Sequence, residues 1–274
     1  MIDEEVEEAI RELAEIAPLH NTPALDALRQ AQTLLPDLPH VAVFDTAFHA
    51  GIPEEAAVYP IPGRWREEWS IRRYGFHGLS VRWSAERVVA PRLVVCHLGG
   101  GCSVTAVGDG RSVDTSMGFT PLEGVPMATR SGSIDPGILL YLLKEQKLTL
   151  EELDQALEHE SGLEALGGLD DPLALAVYSY RIAGTVAAMS ASLGGLDALV
   201  FTGGVGENVP PVRAEVARRL PFLGVELDAK ANAAARPDAE IAAEGSRVRV
   251  TVIRAREEVV IARDARAALQ AHRA

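Results

Sequence analysis

Two short apolar runs, Leu93-Val-Val-Cys-His97 and Leu199-Val-Phe-Thr202, each break off within a residue or two into glycine. Runs of this length and composition read as buried strands. Glycine at a strand end lets the backbone take positive φ and come close to a ligand. The first run continues as Leu98-Gly99-Gly100-Gly101, with a returning strand over 103–107 and Asp109-Gly110 as a hairpin turn. The second continues as Gly203-Gly204-Val205-Gly206-Glu207-Asn208 into a helix over about 211–220. Backbone amides in such loops, and the positive end of a helix, suit a phosphate. Either loop alone is equally explained as a tight turn, and neither fits the Walker or the dinucleotide fingerprint.

Around these runs the pattern alternates between strands and helices, which makes the chain α/β. Val6, Ile10 and Leu13 mark an amphipathic helix over 3–16, and Thr22-Pro23 opens a second helix running to 34. A short buried strand over 41–44 delivers Asp45 at its end. Residues 50–73, rich in proline, arginine and tryptophan, read as a long irregular surface loop or flap. Helices follow over 136–147 and 150–159, then a long apolar one over 174–193 expected to be buried on most sides. A last strand covers 248–253 and a last helix 257–272. A glycine-tipped hairpin with a later strand-glycine-helix unit points to the actin-like, sugar-kinase-like (ribonuclease H-like) ATPase layout. That statement concerns the fold and carries no substrate.

Composition narrows the partners. A formal charge of -13 argues against nucleic acid or an anionic membrane, so an anionic substrate would need a local basic pocket. Two cysteines, Cys96 and Cys102, are too few for a disulfide scaffold and fit no zinc spacing. They read as small core residues of a protein in a reduced cytoplasm. No leader pattern opens the sequence, and no apolar run of bilayer length is expected.

Residues 114–136 combine small polar and apolar side chains with a single cation, Arg130, as a substrate pocket would. Here a resemblance takes over. Asp114-Thr-Ser-Met-Gly-Phe-Thr-Pro-Leu-Glu-Gly124 with Thr129-Arg-Ser-Gly132 is similar to the long signature of the acetate kinase family. Ala17-Pro-Leu-His-Asn21, Val43-Phe-Asp-Thr46, Arg73-Tyr-Gly-Phe-His-Gly78 and Phe201-Thr-Gly-Gly-Val-Gly-Glu-Asn208 match the family in its own order.

The resemblance implies direct, in-line transfer of the γ-phosphoryl of ATP to acetate or propionate, giving an acyl phosphate and ADP. It implies that His77 and Arg130 stabilise the transferring charge and that Asp45 is the acid-base position. Acetate is already ionised at neutral pH, so orienting a metal's water shell or an arginine is the more economical task for Asp45. His20 would hold a phosphate or carboxylate oxygen, and Leu19, Phe76 and Pro121 would line the acyl pocket. His97, Leu98, Gly99, Gly100 and Gly101, with Gly204, Val205, Gly206, Glu207 and Asn208, would contact the nucleotide. Glu257, or Glu258 beside it, would bind Mg2+ or Mn2+. A homodimer is implied as well.

Structural readings stand beside these: an arginine paired with a carboxylate, a packed histidine, an aspartate capping a strand end, and glutamates favoured by a helix dipole. The family's Asn-x-Gly-Ser-Ser-Ser-x-Lys loop, its Arg-Val-Val-His-Gly-Gly stretch and its Ser-Asp-x-Arg segment are not found in these 274 residues. The expected layout is therefore one largely complete domain, 46–257, with 1–45 and 258–274 as the remnant of a mostly missing N-terminal domain. The alternative function is a catalytically impaired, nucleotide-binding or interaction protein.

Overall fold

The computed structural model of the chain describes residues 1–12 and 18–273, with the side chains of 18–23 and 273 outside that description. The two apolar runs become β1 (Arg92–Leu98) and β4 (Ala198–Thr202), at the centre of a six-stranded sheet. β2 (Cys102–Gly108) and β3 (Arg111–Thr115) extend it on one side. On the other side lie β6 (Arg249–Val252) and the two-residue edge strand β5 (Ala239–Glu240), giving the order β3-β2-β1-β4-β6-β5. β1, β4 and β6 run parallel, while β2, β3 and β5 are each antiparallel to a neighbour. Asp109 and Gly110 both take positive φ, 47° and 79°, as the expected β2–β3 turn requires. Three parallel strands flanked by a meander form the sheet of the ribonuclease H-like, actin-like ATPases, as the sequence pattern indicated.

Strand alternation sorts the side chains into two cores. Val94, Cys96 and Leu98 of β1 and Leu199 and Phe201 of β4 face one side, where α8 (Pro172–Ser192) and α10 (Pro210–Ala217) cover the sheet. Leu93, Val95, Ala198 and Val200 face the other, against α5 (Gly78–Arg87) and α12 (Glu257–Arg273). α12 contributes Val260 to that core and ties Asp264 to Arg82 of α5 at 2.8 Å.

Several elements depart from expectation. Residues 41–44 form no strand: none of the described strands lies beside them to complete a ladder, and Phe44 is half exposed. Within 50–73 the chain folds into two short helices, α3 (Glu54–Ala57) and α4 (Gly63–Trp69), each preceded by a proline that fixes the entry φ. α1 is described over Glu4–Glu12, and α2 (Pro18–Leu34) begins a turn before the expected Thr22-Pro23 start. Residues 203–208 are a short helix, α9 (Gly203–Asn208), rather than an open loop. α8 has the length and apolarity of a bilayer-crossing segment, which the sequence was not expected to hold. It is buried along one stripe, Ala174, Tyr178, Ile182, Val186 and Met189, while Tyr180 and Arg181 are exposed. A helix lying on one face of a sheet needs only one apolar stripe.

α6 (Pro136–Lys144) and α7 (Leu150–His159) fall where expected, α7 opened by a Thr149/Glu152 capping box. α5 and α11 (Ala229–Ala234) were not read from the sequence.

Candidate active site

Because β1 and β4 are parallel neighbours, His97 and Thr202 lie side by side and both glycine clusters open from one edge of the sheet. Gly203 takes φ +78°, and a Cβ there would collide with the backbone of Leu98. Gly100 and Gly204 are different: a Cβ on either would meet nothing within 4 Å. They present bare backbone to open space.

The side chains of the second cluster are occupied with holding the turn. Asn208 Nδ2 donates to the Gly204 carbonyl at 2.9 Å, and the Glu207 carboxylate accepts the Ala255 amide at 2.8 Å. Val205 packs into the first core. Arg213, fully buried, donates through Nη1 to the carbonyls of Gly206 and Glu207 at 2.8 and 3.0 Å. Its Nε and Nη2 are fixed by the side chain and carbonyl of Asn232. Arg213 thus fills the orphan carbonyls at the end of α9.

Asp45 caps a helix, not a strand. Its carboxylate accepts the His77 amide at 2.5 Å and the Leu79 amide at 3.3 Å, and its carbonyl accepts the Gly78 amide at 2.8 Å. This cap sets His77 at φ +59°, at the N-terminus of α5, with its ring stacked on His97 at 4.1 Å between centroids. His77 Nδ1 lies 3.1 Å from Ser103 Oγ, and His97 Nδ1 lies 2.8 Å from Ser80 Oγ. Burial, and then the neighbouring His77, push the His97 pKa well below the ordinary imidazole value; Asp45 opposes the shift. The stacked His97 ring limits where the His77 ring can lie.

Arg130 reaches the same place from the central loop. Its Nη1 donates to the Pro121 carbonyl at 2.9 Å, and its side chain is only 12 % exposed. Gly101 marks the meeting point: a Cβ there would lie 3.1 Å from His77 Nε2 and 3.6 Å from Arg130 Nη1. Phe76 packs against the first core, and its carbonyl accepts from His49 Nε2–H at 3.0 Å. Pro121 is buried beside Arg130. Leu19 and His20 belong to the backbone of α2, and their side chains lie outside the described residues.

Glu257 opens α12 just beyond β6. Its pKa is raised by burial, by Asp45 and by Glu258. A half-buried glutamate among other negative charges is the kind of group that a hard divalent cation keeping water and phosphate oxygens would neutralise. No group of three or more His, Cys, Asp or Glu side chains able to hold a metal exists among the described residues.

The supporting residues were not legible in the sequence. Arg73 donates to the carbonyls of Ala56, Ser116 and Met117 and to Glu123, whose other oxygen accepts from Tyr59. Phe119 N then donates to Tyr59 Oη at 3.0 Å. This knot joins the Arg73-Tyr-Gly-Phe-His77 motif to the central loop. The signal was an arginine and a glutamate, Arg73 and Glu123, each inside a motif, although nothing in their spacing paired them.

An actin-like ATPase sheet with a glycine-lined cleft at its parallel carboxyl edge, and an imidazole and a guanidinium converging there, defines the class. Residues 1–263 match the model described as the Acetokinase family. The acetate kinase of Gloeobacter violaceus is 47% identical over 288 residues, covering 96% of this chain and 71% of that protein. That of Protochlamydia amoebophila is 46% identical, with the same two coverages. Among solved structures, a propionate kinase from Francisella tularensis superposes with a TM-score of 0.88 at 38% identity, covering 95% of this chain and 73% of that one. The Porphyromonas gingivalis acetate kinase gives 0.87 at 35% identity, with 96% and 72% covered. The chain belongs to the acetokinase family.

Proposed function

We propose that this chain is a kinase that moves the γ-phosphoryl group of ATP to the carboxylate of acetate or propionate, reversibly. The observation that carries the reading is the convergence of His77 and Arg130 at Gly101, on the edge where Gly100 and Gly204 leave backbone open. A transferring phosphoryl spreads negative charge over its equatorial oxygens, and fixed donors aimed at that charge are the main lever a protein has. His77 and Arg130 are those donors. Asp45 holds His77 through its amide and faces Glu257, so its role is to orient rather than to remove a proton.

The nucleotide phosphates lie along the Gly99–Gly101 and Gly204–Asn208 segments, where Gly100 and Gly204 leave backbone open, and His20, Leu19, Phe76 and Pro121 belong to the carboxylate side. Mg2+ or Mn2+ would be held by Glu257, or by Glu258 beside it, with Asp45 orienting its water shell, and would neutralise phosphate charge. The homodimer belongs to the same reading; Ile138, Leu140, Tyr141 and Leu143 of α6, all exposed, are the apolar surface that supports it.

The test is acyl phosphate formation from ATP, Mg2+ and acetate or propionate, trapped as the hydroxamate. Turnover abolished by Arg130→Ala supports the reading. A folded protein with no transfer to either acid sinks it. Pocket size separates the two acids by only about 1–3 kcal/mol per methylene, so the ratio of their kcat/KM values must be measured directly.

A further inference from the structure

α7 ends with an acidic residue where a helix least favours one. Glu158 sits in its last turn, at the negative end of the helix dipole. Its carboxylate is only 18 % exposed, and Oε2 is buried without a hydrogen bond among the described residues. Nothing within α7 accounts for that arrangement. Its surroundings do: Oε2 lies 3.5 Å from Nε of Arg130.

The backbone makes this pairing deliberate. The end of α7 and the turn after it are laced to the segment that carries Arg130. Ser131 N donates to the Leu157 carbonyl at 3.2 Å, Thr129 Oγ1 to the Glu158 carbonyl at 2.7 Å, and Ser161 N to the Thr129 carbonyl at 2.8 Å. Leu163 N and Glu164 N reach the carbonyls of Met127 and Ala128 at 2.9 and 3.0 Å. Gly162, at φ +65°, lies so close to the Met127 carbonyl that no Cβ fits. Glu158 is therefore held at a set distance from Arg130 by the main chain.

The guanidinium is gripped along two directions: Glu158 on Nε, and the Pro121 carbonyl with Met127 Sδ on Nη1. Nη2 has no partner among the described residues. We propose that Glu158 is a positioning residue that fixes the Nε edge of Arg130, so that its remaining donors stay aimed at the anion meeting His77 at Gly101. The proposal rests on the reading of Arg130 as the cation of phosphoryl transfer. A planar fork held at one edge loses fewer orientations on binding than a free one. The opposite role is also conceivable for a carboxylate here, because its charge could weaken the pull of Arg130 on an anion.

Two variants separate these outcomes, each read in two ways. Proton exchange at Arg130 Nε–H is followed by nitrogen-15 NMR, with the signal identified by its loss in Arg130→Lys. Glu158→Ala is expected to speed that exchange about tenfold, and Glu158→Gln, which keeps the bulk over Nε but not the charge, to speed it by a smaller factor. In the acyl phosphate assay, Glu158→Ala is expected to lower kcat about tenfold or more with KM for ATP within about twofold, and Glu158→Gln, which keeps the bulk but not the charge, to fall between Glu158→Ala and the parent. Unchanged exchange in Glu158→Ala overturns the proposal, as does an unchanged rate. A faster rate in both variants also overturns it and makes Glu158 a brake. Should the parent protein show no transfer while exchange responds as expected, the kinase reading falls and the positioning of Arg130 by Glu158 stands.

Discussion

The central loop and the Gly203–Asn208 turn lie at the same edge of the sheet, both next to the Gly99–Gly101 cluster, yet they are built on opposite plans. In the loop, the group proposed to meet the phosphoryl is a side chain, Arg130, and the backbone around it is tied down by its neighbours: α7 on one flank, the Arg73–Glu123–Tyr59 knot on the other. In the turn, the surface turned to the cleft is bare backbone at Gly204, and the side chains face away and hold the helix end through Asn208, Glu207 and Arg213. The loop spends main chain to aim a side chain. The turn spends side chains to aim main chain. A change of charge should therefore be felt in the loop as lost chemistry, and a change of packing in the turn as lost stability.

The largest expected effect tests the loop. Arg130→Ala should lower kcat by about 10³-fold, the loss typical of a removed transition-state donor. Acyl phosphate production measures it, and a rate near that of the parent would break the comparison on its stronger side. Next comes the turn. Arg213→Met leaves the Gly206 and Glu207 carbonyls and Asn232 without their donor. The expected cost is about 2–4 kcal/mol of stability, read as a lower urea midpoint at constant m-value, with weaker ATP binding by calorimetry. An unchanged midpoint would mean that the turn supports itself.

Glycine substitutions sharpen the contrast. Gly101→Ala places a methyl about 3.1 Å from His77 Nε2 and should lower kcat some tenfold with little change in melting temperature. Gly204→Ala adds a methyl that meets nothing within 4 Å, so the fold should tolerate it and only nucleotide affinity should fall. Equal effects from the two would show that neither region is specialised.

The smallest effect comes from the buried histidines. Burial holds His49 below its ordinary pKa of 6.5 despite its hydrogen bond to Phe76, and holds His97 well below it. The unfolded chain then takes up these protons at a higher pH than the folded one. Stability is full above about pH 6.5 and declines as pH falls from there toward the folded values. Urea midpoints between pH 7.5 and 5.5 should fall, and His49→Gln should flatten part of the fall. A flat profile would mean that both imidazoles take up protons as readily in the fold as in the unfolded chain.

How much of this could be read in the sequence follows the same division. Strand periodicity showed β1, β2 and β4, and turn chemistry at Asp109-Gly110 showed the β2–β3 hairpin, because those signals are local. The candidates His77, Arg130 and Asp45 stood out because they sit inside long motifs, and the fold brings His77 and Arg130 together at Gly101. The helical nature of Gly203–Asn208 was hidden: four of its six residues are glycine or asparagine, poor helix formers, and the helix persists because Arg213 donates to its last carbonyls and the Glu207 carboxylate ties it to the Ala255 amide. Residues 41–44 carried a strand pattern, but a strand is realised only where a neighbour offers its edge. Glu158 looked like one more acid on a solvated helix face. Only the lacing of α7 to the segment 127–131 brings its carboxylate to the arginine.

The order of strands has a consequence for how the cleft comes into being. β1, β2 and β3 are consecutive and closed by tight turns, so they can zip up from contacts close in sequence. β4 must return to β1 after roughly 100 residues, and loop closure over such a span makes parallel pairing the slow part of assembly. Both glycine clusters become neighbours only at that docking. During refolding, amides of the β1–β3 meander should gain protection from exchange before those of β4 and β6, and nucleotide should find no site until the second group is protected.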